Sequence, residues 1–306
     1  MKKLNCILSI LTAVSFFVSC SGFMDNLVKK QDRVTMTTTN DSVQIYVEWA
    51  GSGSLTANGV EMENSNYSTI YATDEGAVVL VATGDVRLTL LNCVYNSLTA
   101  LDVTNCPKLT ELYCSENSLT ALDVTHCPKL RILRCDDNLL TTLTMNCPKL
   151  VNLDCQVNFL SELDVTKCKE LTELWCNSNS LTALDATRCT KLTFLDCHNN
   201  FLTTLDVRNC LKLRHLRCDD NYLTALDITH CQELSRLICS DNYITVLDVT
   251  NCPKLQGLDC SRNSLTALDV TKSPKLEHLS YDGNSLMALD ITNCLRLWQN
   301  NKKHAK

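Results

Sequence analysis

The sequence repeats itself over most of its length. Residues 98–118 read LTALDVTNCPKLTELYCSENS, and closely similar strings follow one another along the rest of the chain. Their first residues are Leu119, Leu140, Leu160, Leu181, Leu202, Leu223, Ile244, Leu265 and Leu286. The spacing is 21 residues throughout, except for 20 residues between Leu140 and Leu160. A repeat this short cannot bury an apolar face alone, so we predict a solenoid in which stacked repeats share one core.

Each repeat carries a recognisable motif. The segment from Leu109 to Leu119 fits L-x-x-L-x-C-x-x-N-x-L, and Leu130 to Leu140 fits it again. This is the leucine-rich-repeat signature with cysteine at one leucine position. With the L-T-x-L-D-V-T continuation, residues 88–297 resemble the internalin J type of bacterial leucine-rich repeat and related lipoproteins of Bacteroidetes. The resemblance implies a horseshoe of about ten repeats with a curved parallel β-sheet and little helix.

The positions within a repeat have predictable directions. Alternate residues of a strand face opposite sides, so Leu112 and Cys114 should face the core, while Glu111, Tyr113 and Ser115 should face the concave surface. Leu122 and Val124 predict a second short strand or extended turn on the convex side. One Asn per repeat should form a ladder that satisfies backbone groups where the strand turns. These residues are Asn96, Asn117, Asn138, Asn158, Asn179, Asn200, Asn221, Asn242, Asn263 and Asn284.

Cysteine is unusually abundant, with 20 residues in the chain. Apart from Cys6 and Cys20, the cysteines form a strand ladder (93, 114, 135, 155, 176, 197, 218, 239, 260) and a turn ladder (106, 127, 147, 168, 189, 210, 231, 252, 294). In-register neighbours point the same way at about the 4.8 Å strand spacing, which does not suit a disulfide. We therefore predict free thiols packed as small apolar groups, with pairing between the two ladders as the alternative. The sequence has no Cys-x-x-Cys spacing, so we predict no zinc or iron–sulfur site.

An Asp also recurs, in the L-D-V-T segment, as in Asp102 and Asp123. Stacked carboxylates repel one another, and bonds from each Asp to the backbone two residues on would offset this repulsion. A calcium ladder is the alternative.

The first residues resemble a bacterial lipoprotein leader. Met1-Lys2-Lys3 is basic, an apolar run follows, and Phe17-Val18-Ser19 precedes Cys20, the expected site of lipidation. An ordinary cleaved leader is the alternative. We expect a signal peptide at 1–20, a tether at 21–32, and a small antiparallel β module of about five strands at 33–87 that caps the array. A basic tail at 298–306 begins with Trp298, which could cover the last repeat.

Charge and motifs exclude several function classes. The formal net charge of -6 does not support binding to nucleic acid or to anionic lipid, so membrane contact is expected only through the N-terminal lipid. The chain has no nucleophile elbow, phosphate loop, dinucleotide fingerprint or His-Glu-x-x-His pair. We predict a non-enzymatic monomer without a cofactor or metal.

What varies between repeats is the concave face. Aromatic and Arg residues near its centre are typical of a binding hot spot, and a merely solvent-exposed face is the alternative. The predicted ligand-binding residues, expected to be exposed, are Tyr113, Arg134, Asp154, Trp175, Phe194, Asp196, His198, His215, Arg217 and Ile238.

The sequence thus predicts a surface-exposed outer-membrane lipoprotein of the cell envelope that binds a protein or glycoprotein partner. The internalin resemblance implies adhesion, including adhesion to mucin-like glycoproteins. A periplasmic structural scaffold and a substrate-gathering subunit of an uptake system are the alternatives.

Overall fold

A computed structural model describes residues 31–287, 289, 291, 293 and 294. The described part consists of β-strands and turns without a helix, which confirms the predicted solenoid with a preceding β module. None of its segments forms a helix that could span a bilayer. The predicted signal peptide, the Cys20 lipidation site, most of the tether, Trp298 and the basic tail lie outside the described residues.

The strands are short and numerous. The module and the first coil contain β1 (Arg33–Thr38), β2 (Ser42–Ala50), β3 (Leu55–Ala57), β4 (Val60–Glu61), β5 (Asn66–Tyr71), β6 (Ala77–Ala82), β7 (Arg87–Asn92) and β8 (Leu98–Asp102). The next coils contain β9 (Glu111–Tyr113), β10 (Ala121–Asp123), β11 (Ile132–Arg134), β12 (Thr142–Thr144), β13 (Asn152–Asp154), β14 (Glu173–Trp175) and β15 (Ala183–Asp185). The last coils contain β16 (Phe194–Asp196), β17 (Thr204–Asp206), β18 (His215–Arg217), β19 (Arg236–Ile238), β20 (Gly257–Asp259) and β21 (His278–Ser280).

A single sheet forms the concave face. From β7 to β21 its neighbouring strands are parallel and in register, so that Leu112 lies opposite Leu133 and Leu133 opposite Leu153. The leucines and cysteines of successive coils point inward and are almost fully buried, as predicted. On the convex side, β10 pairs with β12 and β15 with β17, also in parallel. The core is therefore one continuous column of Leu, Val and Cys between two ladders of backbone hydrogen bonds.

The Asn ladder joins consecutive coils. The Asn200 Nδ2 group donates to the carbonyls of Cys176 (3.0 Å), Cys197 (3.1 Å) and His198 (3.2 Å), and Oδ1 accepts from the Leu181 amide at 3.0 Å. Asn138 and Asn263 repeat this arrangement in their own coils. Each side chain thus satisfies backbone groups of its own coil and of the preceding one, as the sequence predicts.

The cysteines from Cys93 to Cys260 are free, buried thiols, in agreement with the prediction. In the strand ladder the thiol approaches a carbonyl of the next coil, as in Cys114 Sγ to Arg134 O at 3.5 Å. In the turn ladder it approaches the preceding coil, as in Cys210 Sγ to Ala186 O at 3.4 Å. Burial raises the pKa of the Cys93 thiol to about 12 and that of Cys189 to about 11. The protonated, weakly reactive thiol is therefore the stable form at neutral pH.

The Asp residues of the convex side form the predicted local turns. Asp185 Oδ1 accepts two hydrogen bonds from Thr187, one from its backbone amide at 2.9 Å and one from its hydroxyl at 2.6 Å. Asp248 and Thr250 form the same pair of bonds. The hydroxyl and amide of Thr250 hold the pKa of Asp248 below its usual value, because both bonds favour the ionised form.

The β module continues both sheets of the first coil. Strand β2 pairs antiparallel with β7 on the concave side, and β1 pairs antiparallel with β8 on the other. The first coil therefore has no unpaired strand edge on the side of the module. The expectation of about five strands misses β3 and β4, which pair across Asn58 (φ 47°) and Gly59 (φ 83°). Two consecutive residues of positive φ are typical of a tight hairpin turn.

Removing one rung of the Asn ladder should weaken the fold. Asn200→Ala leaves buried amide and carbonyl groups of two coils without partners, so we expect a loss of about 3 kcal/mol in the free energy of unfolding. Chemical denaturation followed by circular dichroism measures it. Asn209→Ala is the control, because Asn209 is exposed and donates one bond, to Thr187 O at 3.2 Å. Equal losses in the two variants would show that the ladder is not a main source of stability.

Candidate functional site

The concave face is built from three columns of outward-facing side chains. The central column holds Tyr113, Arg134, Asp154, Trp175, Asp196, Arg217, Ile238, Asp259 and Ser280. The outer column holds Glu111, Ile132, Asn152, Glu173, Phe194, His215, Arg236, Gly257 and His278. The third column follows the strand-ladder cysteines and includes Ser115, Asp136, His198 and Asp219. All ten predicted ligand-binding residues lie in these columns.

Aromatic rings pack together across the middle coils. The Trp175 and Phe194 ring centroids are 4.8 Å apart with the planes at 37°, and those of Phe194 and His215 are 6.1 Å apart at 53°. The sequence predicts exposed rings, but Trp175 and Phe194 are half-buried because each covers part of its neighbour. The result is an ordered aromatic row rather than three independent side chains.

An ion-pair network lies beside this row. Asp196 is only 8% exposed, its Oδ1 is 2.6 Å from His198 Nδ1, and its Oδ2 is 3.9 Å from Arg217 Nη1. Arg217 also donates from Nε to Asp219 Oδ1 at 2.9 Å. The structure therefore places Asp196 beneath His198 and Arg217, where it orients both side chains instead of facing solvent as predicted.

A second group occupies the N-terminal coils. The Tyr113 hydroxyl donates to Glu111 Oε2 at 2.7 Å, and Arg134 Cζ lies 5.9 Å from the Tyr113 ring centroid. Burial and the Glu111 carboxylate together raise the pKa of Tyr113 to about 12. The ring is thus held as a neutral phenol beneath a guanidinium group.

Asp154 lies between the two groups and is half-buried. Burial, with a further contribution from the neighbouring Asp136 charge, raises the pKa of Asp154 to about 7, although the Gln156 amide and the Arg134 guanidinium act in the opposite direction. Asp136 itself accepts a 2.5 Å hydrogen bond from the Ser115 hydroxyl. Asp154 therefore carries a proton over much of the mildly acidic range.

A shallow hollow of about 520 Å³ opens in the C-terminal half of the face. It exists because Gly257 has no side chain between Arg236 and His278 in the outer column. Ile238 and His215 line the same hollow, so these two predicted residues share a depression that the sequence pattern does not show. In the part of the chain that the structure describes, no three His, Cys, Asp or Glu side chains are grouped to hold a metal ion.

Comparisons with known proteins agree with this geometry. A family model described as Leucine Rich repeats (2 copies) matches residues 169–209. The functional domain of InlJ from Listeria monocytogenes, which includes a cysteine ladder, is 34% identical with a TM-score of 0.50. The protein is a leucine-rich-repeat solenoid with a cysteine ladder. The InlJ match covers 68% of this chain and 56% of that one, so the chain spans little more than half of the InlJ domain.

Two other bacterial solenoids are similar. YopM from Yersinia enterocolitica is 30% identical with a TM-score of 0.53, over 60% of this chain and 39% of that chain. The leucine-rich-repeat protein LIC12759 of Leptospira interrogans is 23% identical with a TM-score of 0.51, over 67% of this chain and 69% of that chain, and shows the fold alone. No curated protein matches the sequence.

The leucine-rich-repeat face extends further than the repeats. Tyr46 in β2 lies opposite Asn92, which lies opposite Tyr113, so the central column continues onto the β module. Tyr46 donates to Glu48 Oε1 at 2.7 Å, as Tyr113 does to Glu111, and its ring centroid is 5.0 Å from that of Tyr67. Sequence reasoning missed these residues. The alternation of β2 marks Tyr46 and Glu48 as outward-facing, but no pattern reveals that β2 pairs with β7.

The protonation of Asp154 should make stability depend on pH. The folded pKa of about 7 exceeds the ordinary 3.8, so the folded state keeps a proton that the unfolded state releases between about pH 4 and pH 7. Stability from this group is then lost as pH rises through that range and stays low above it. Asp154→Asn should therefore raise the thermal midpoint at pH 8 and change it little at pH 4.

Thermal unfolding followed by circular dichroism from pH 4 to pH 8 measures this difference. Asp74→Asn, which removes an exposed carboxylate of the β module, serves as the control and should show no such trend. The same gain for Asp154→Asn at both pH values would show that its charge is not responsible.

Proposed function

We propose that the protein is a non-catalytic, lipid-anchored protein of the cell envelope that binds a protein or glycoprotein partner through its concave face, and so serves adhesion. The observation that carries the proposal is the aromatic row of Trp175, Phe194 and His215 at the centre of that face, bordered by the network of Asp196, His198 and Arg217. Tryptophan and arginine dominate the residues that contribute most to binding at protein interfaces.

The row is ordered before any partner binds. Its strands are paired on both sides, Phe194 packs against Trp175 and His215, and Arg217 is held by two carboxylates. Binding therefore orders few side chains, and more of the contact energy appears as affinity.

The shape of the face favours a macromolecular partner. The concave sheet contains nine parallel strands between β9 and β21, and these strands present the three columns of side chains. Because neighbouring strands are about 4.8 Å apart, the surface is about 40 Å long. Its depressions are shallow and open, whereas sites for small molecules are enclosed clefts that bury most of the ligand. A protein or glycoprotein surface fits this area better than a small substrate does.

The cysteines do not support thiol catalysis. The thiols from Cys93 to Cys260 are buried and their pKa values are raised, as with about 12 for Cys231, whereas a catalytic thiol needs a lowered pKa and access. The His198 and Asp196 pair resembles part of a catalytic triad, but Arg217 shares the same carboxylate and makes it an ion-pair network.

Two further arguments concern place and partner. Cys20 after Phe17-Val18-Ser19 supports lipidation and attachment to a membrane of the cell envelope. That this is the outer membrane, with the solenoid facing outward, is part of the proposal. The resemblance of the repeats to the internalin J type, with InlJ 34% identical, supports an adhesive role. A periplasmic scaffold and an uptake subunit would use the same face, and the location of the solenoid separates them from an adhesin.

Substitution of Trp175 should weaken binding without unfolding the protein. Immobilised secreted mucin, fibronectin and collagen are suitable probes, and we expect saturable binding to at least one of them by biolayer interferometry. Trp175→Ala should reduce that affinity by ~2 kcal/mol or more, because it removes the ring against which Phe194 packs.

Phe159→Ala is the matched control, since Phe159 is an exposed ring that lies outside the concave columns. It should leave the affinity unchanged. If Trp175→Ala binds like the unmodified protein, the aromatic row is not the binding site.

Protease treatment of intact cells tests the location. Loss of the repeat region while a periplasmic marker stays intact is the result we expect for an adhesin, because the concave face is then outside. Full protection of the repeats, with cleavage only after the envelope is opened, would instead favour the periplasmic scaffold.

A further inference from the structure

A second aromatic surface lies outside the concave face. Phe201, Tyr222 and Tyr243 each follow the ladder Asn of their coil, at the edge of the solenoid where the concave strand has ended. They are 47%, 47% and 57% exposed. We call these three residues the edge ridge. The concave site described above uses none of them.

The rings of the edge ridge are regularly placed. The Phe201 and Tyr222 centroids are 5.9 Å apart with planes at 16°, and those of Tyr222 and Tyr243 are 6.1 Å apart at 27°. Their spacing is fixed by the backbone, because the amide of each residue donates to the preceding coil at 2.9 Å, to Leu181, Leu202 and Leu223 respectively. The solenoid thus holds three nearly parallel rings in a row along its axis.

Polar groups border the rings. Asn199, Asp220, Asp241 and Arg262 line a hollow of about 400 Å³ together with the edge ridge. Arg262 spans two coils and donates from Nη2 to Asp241 Oδ2 at 2.5 Å, so one of the two carboxylates is neutralised. The site combines an apolar row with planar amide, carboxylate and guanidinium groups that accept and donate hydrogen bonds.

We propose that the edge ridge is a second binding surface, and that its ligand is a linear, neutral polysaccharide. A pyranose ring has apolar C–H groups that pack against the exposed carbon atoms of aromatic rings, and it has hydroxyls that bond to planar amide and carboxylate groups. A polymer repeats these features along its length, and the edge ridge repeats their complement along the solenoid. The tyrosine rings also carry hydroxyls, which suit a ligand that is half apolar and half polar.

Other occupants fit less well. A protein interface has about 20–30 residues a side, whereas the edge ridge is one side chain wide. An acidic polymer would meet the carboxylates of Asp220 and Asp241, of which only the second is paired with Arg262. A neutral chain avoids both problems.

Neighbouring coils supply the natural comparison. Ser180 and Ser264 occupy the same position in the coils on either side of the edge ridge, and Ser118 and Ser285 do so further along. The backbone therefore accepts serine there, and the rings are not needed to form the coil. A triple variant, Phe201→Ser, Tyr222→Ser and Tyr243→Ser, should fold normally.

Affinity gel electrophoresis of the purified full chain tests the proposal. The gels contain hydroxyethylcellulose, glycol chitin or mannan as neutral polymers, or polygalacturonate as an acidic one. We expect at least one neutral polymer and not polygalacturonate to retard the protein. The triple serine variant should show a dissociation constant raised about tenfold or more, because it removes all three ring contacts at once.

The double variant Leu139→Ser and Phe159→Ser is the matched control, because these exposed apolar side chains occupy the same position in their coils but are separated from the edge ridge by Ser180. It should be retarded like the unmodified chain. Trp175→Ala should also be retarded like the unmodified chain. A test of binding at the concave face is therefore independent of a test of binding at the edge ridge.

Three outcomes would overturn the proposal. They are the absence of retardation by every neutral polymer, equal retardation of the triple variant, and retardation by polygalacturonate alone. If the unmodified chain dimerises in sedimentation equilibrium and the triple variant does not, the edge ridge is a contact between copies of the chain instead.

Discussion

The fold depends on the fact that no coil can satisfy all the hydrogen-bonding groups of its own backbone. Where each concave strand turns, the side-chain amide of the ladder Asn donates hydrogen bonds to carbonyls of two coils. Its oxygen accepts a hydrogen bond from a backbone amide of the preceding coil. This requirement explains which irregularities the array tolerates. The 20-residue repeat lacks one residue between Thr144 and Cys147, on the convex side, and there the Asp and Thr turn is missing. The Asn ladder passes through that coil unchanged, since Leu140 still donates to Asn158 Oδ1 at 2.9 Å.

The same ladder allows a strained turn. The residue directly before each ladder Asn has a positive φ. In one coil this residue is Val157, with φ at 51°, and a β-branched residue disfavours this conformation by about 1–2 kcal/mol. Such a residue persists only where its surroundings fix the backbone. The amide of Val157 donates to Asn177 O at 3.0 Å and that of Asn158 to Ser178 O at 3.1 Å, so the turn is held from the next coil. Side chains at this edge are therefore free to vary, and the edge ridge arises there.

Much of this structure is predictable because the repeat fixes direction as well as period. Strand alternation assigns Leu112 and Cys114 to the core and Tyr113 to the concave face, and the inward positions from β9 to β20 are buried accordingly. In the last described coil Leu279 is half-buried and Tyr281, at the cysteine position, is 40% exposed. Lateral contacts are not predictable in this way. The burial of Asp196 depends on where His198 and Arg217 place their side chains, and the hollow at Gly257 depends on its neighbours in two other coils. The pairing of Tyr46 with Asn92 joins segments that share no repeat pattern.

That last pairing changes what the β module is for. A cap need only cover the backbone edges of the first coil, and β1 and β2 do so. Yet β2 also places Tyr46 and Glu48 in the two main concave columns, with the same hydroxyl-to-carboxylate bond that joins Tyr113 to Glu111. A cap under selection for stability alone has no need of this match. A partner lying along the concave face would contact the module as well as the repeats. Removing the module would therefore take away part of the binding surface as well as the cover over the end of the core.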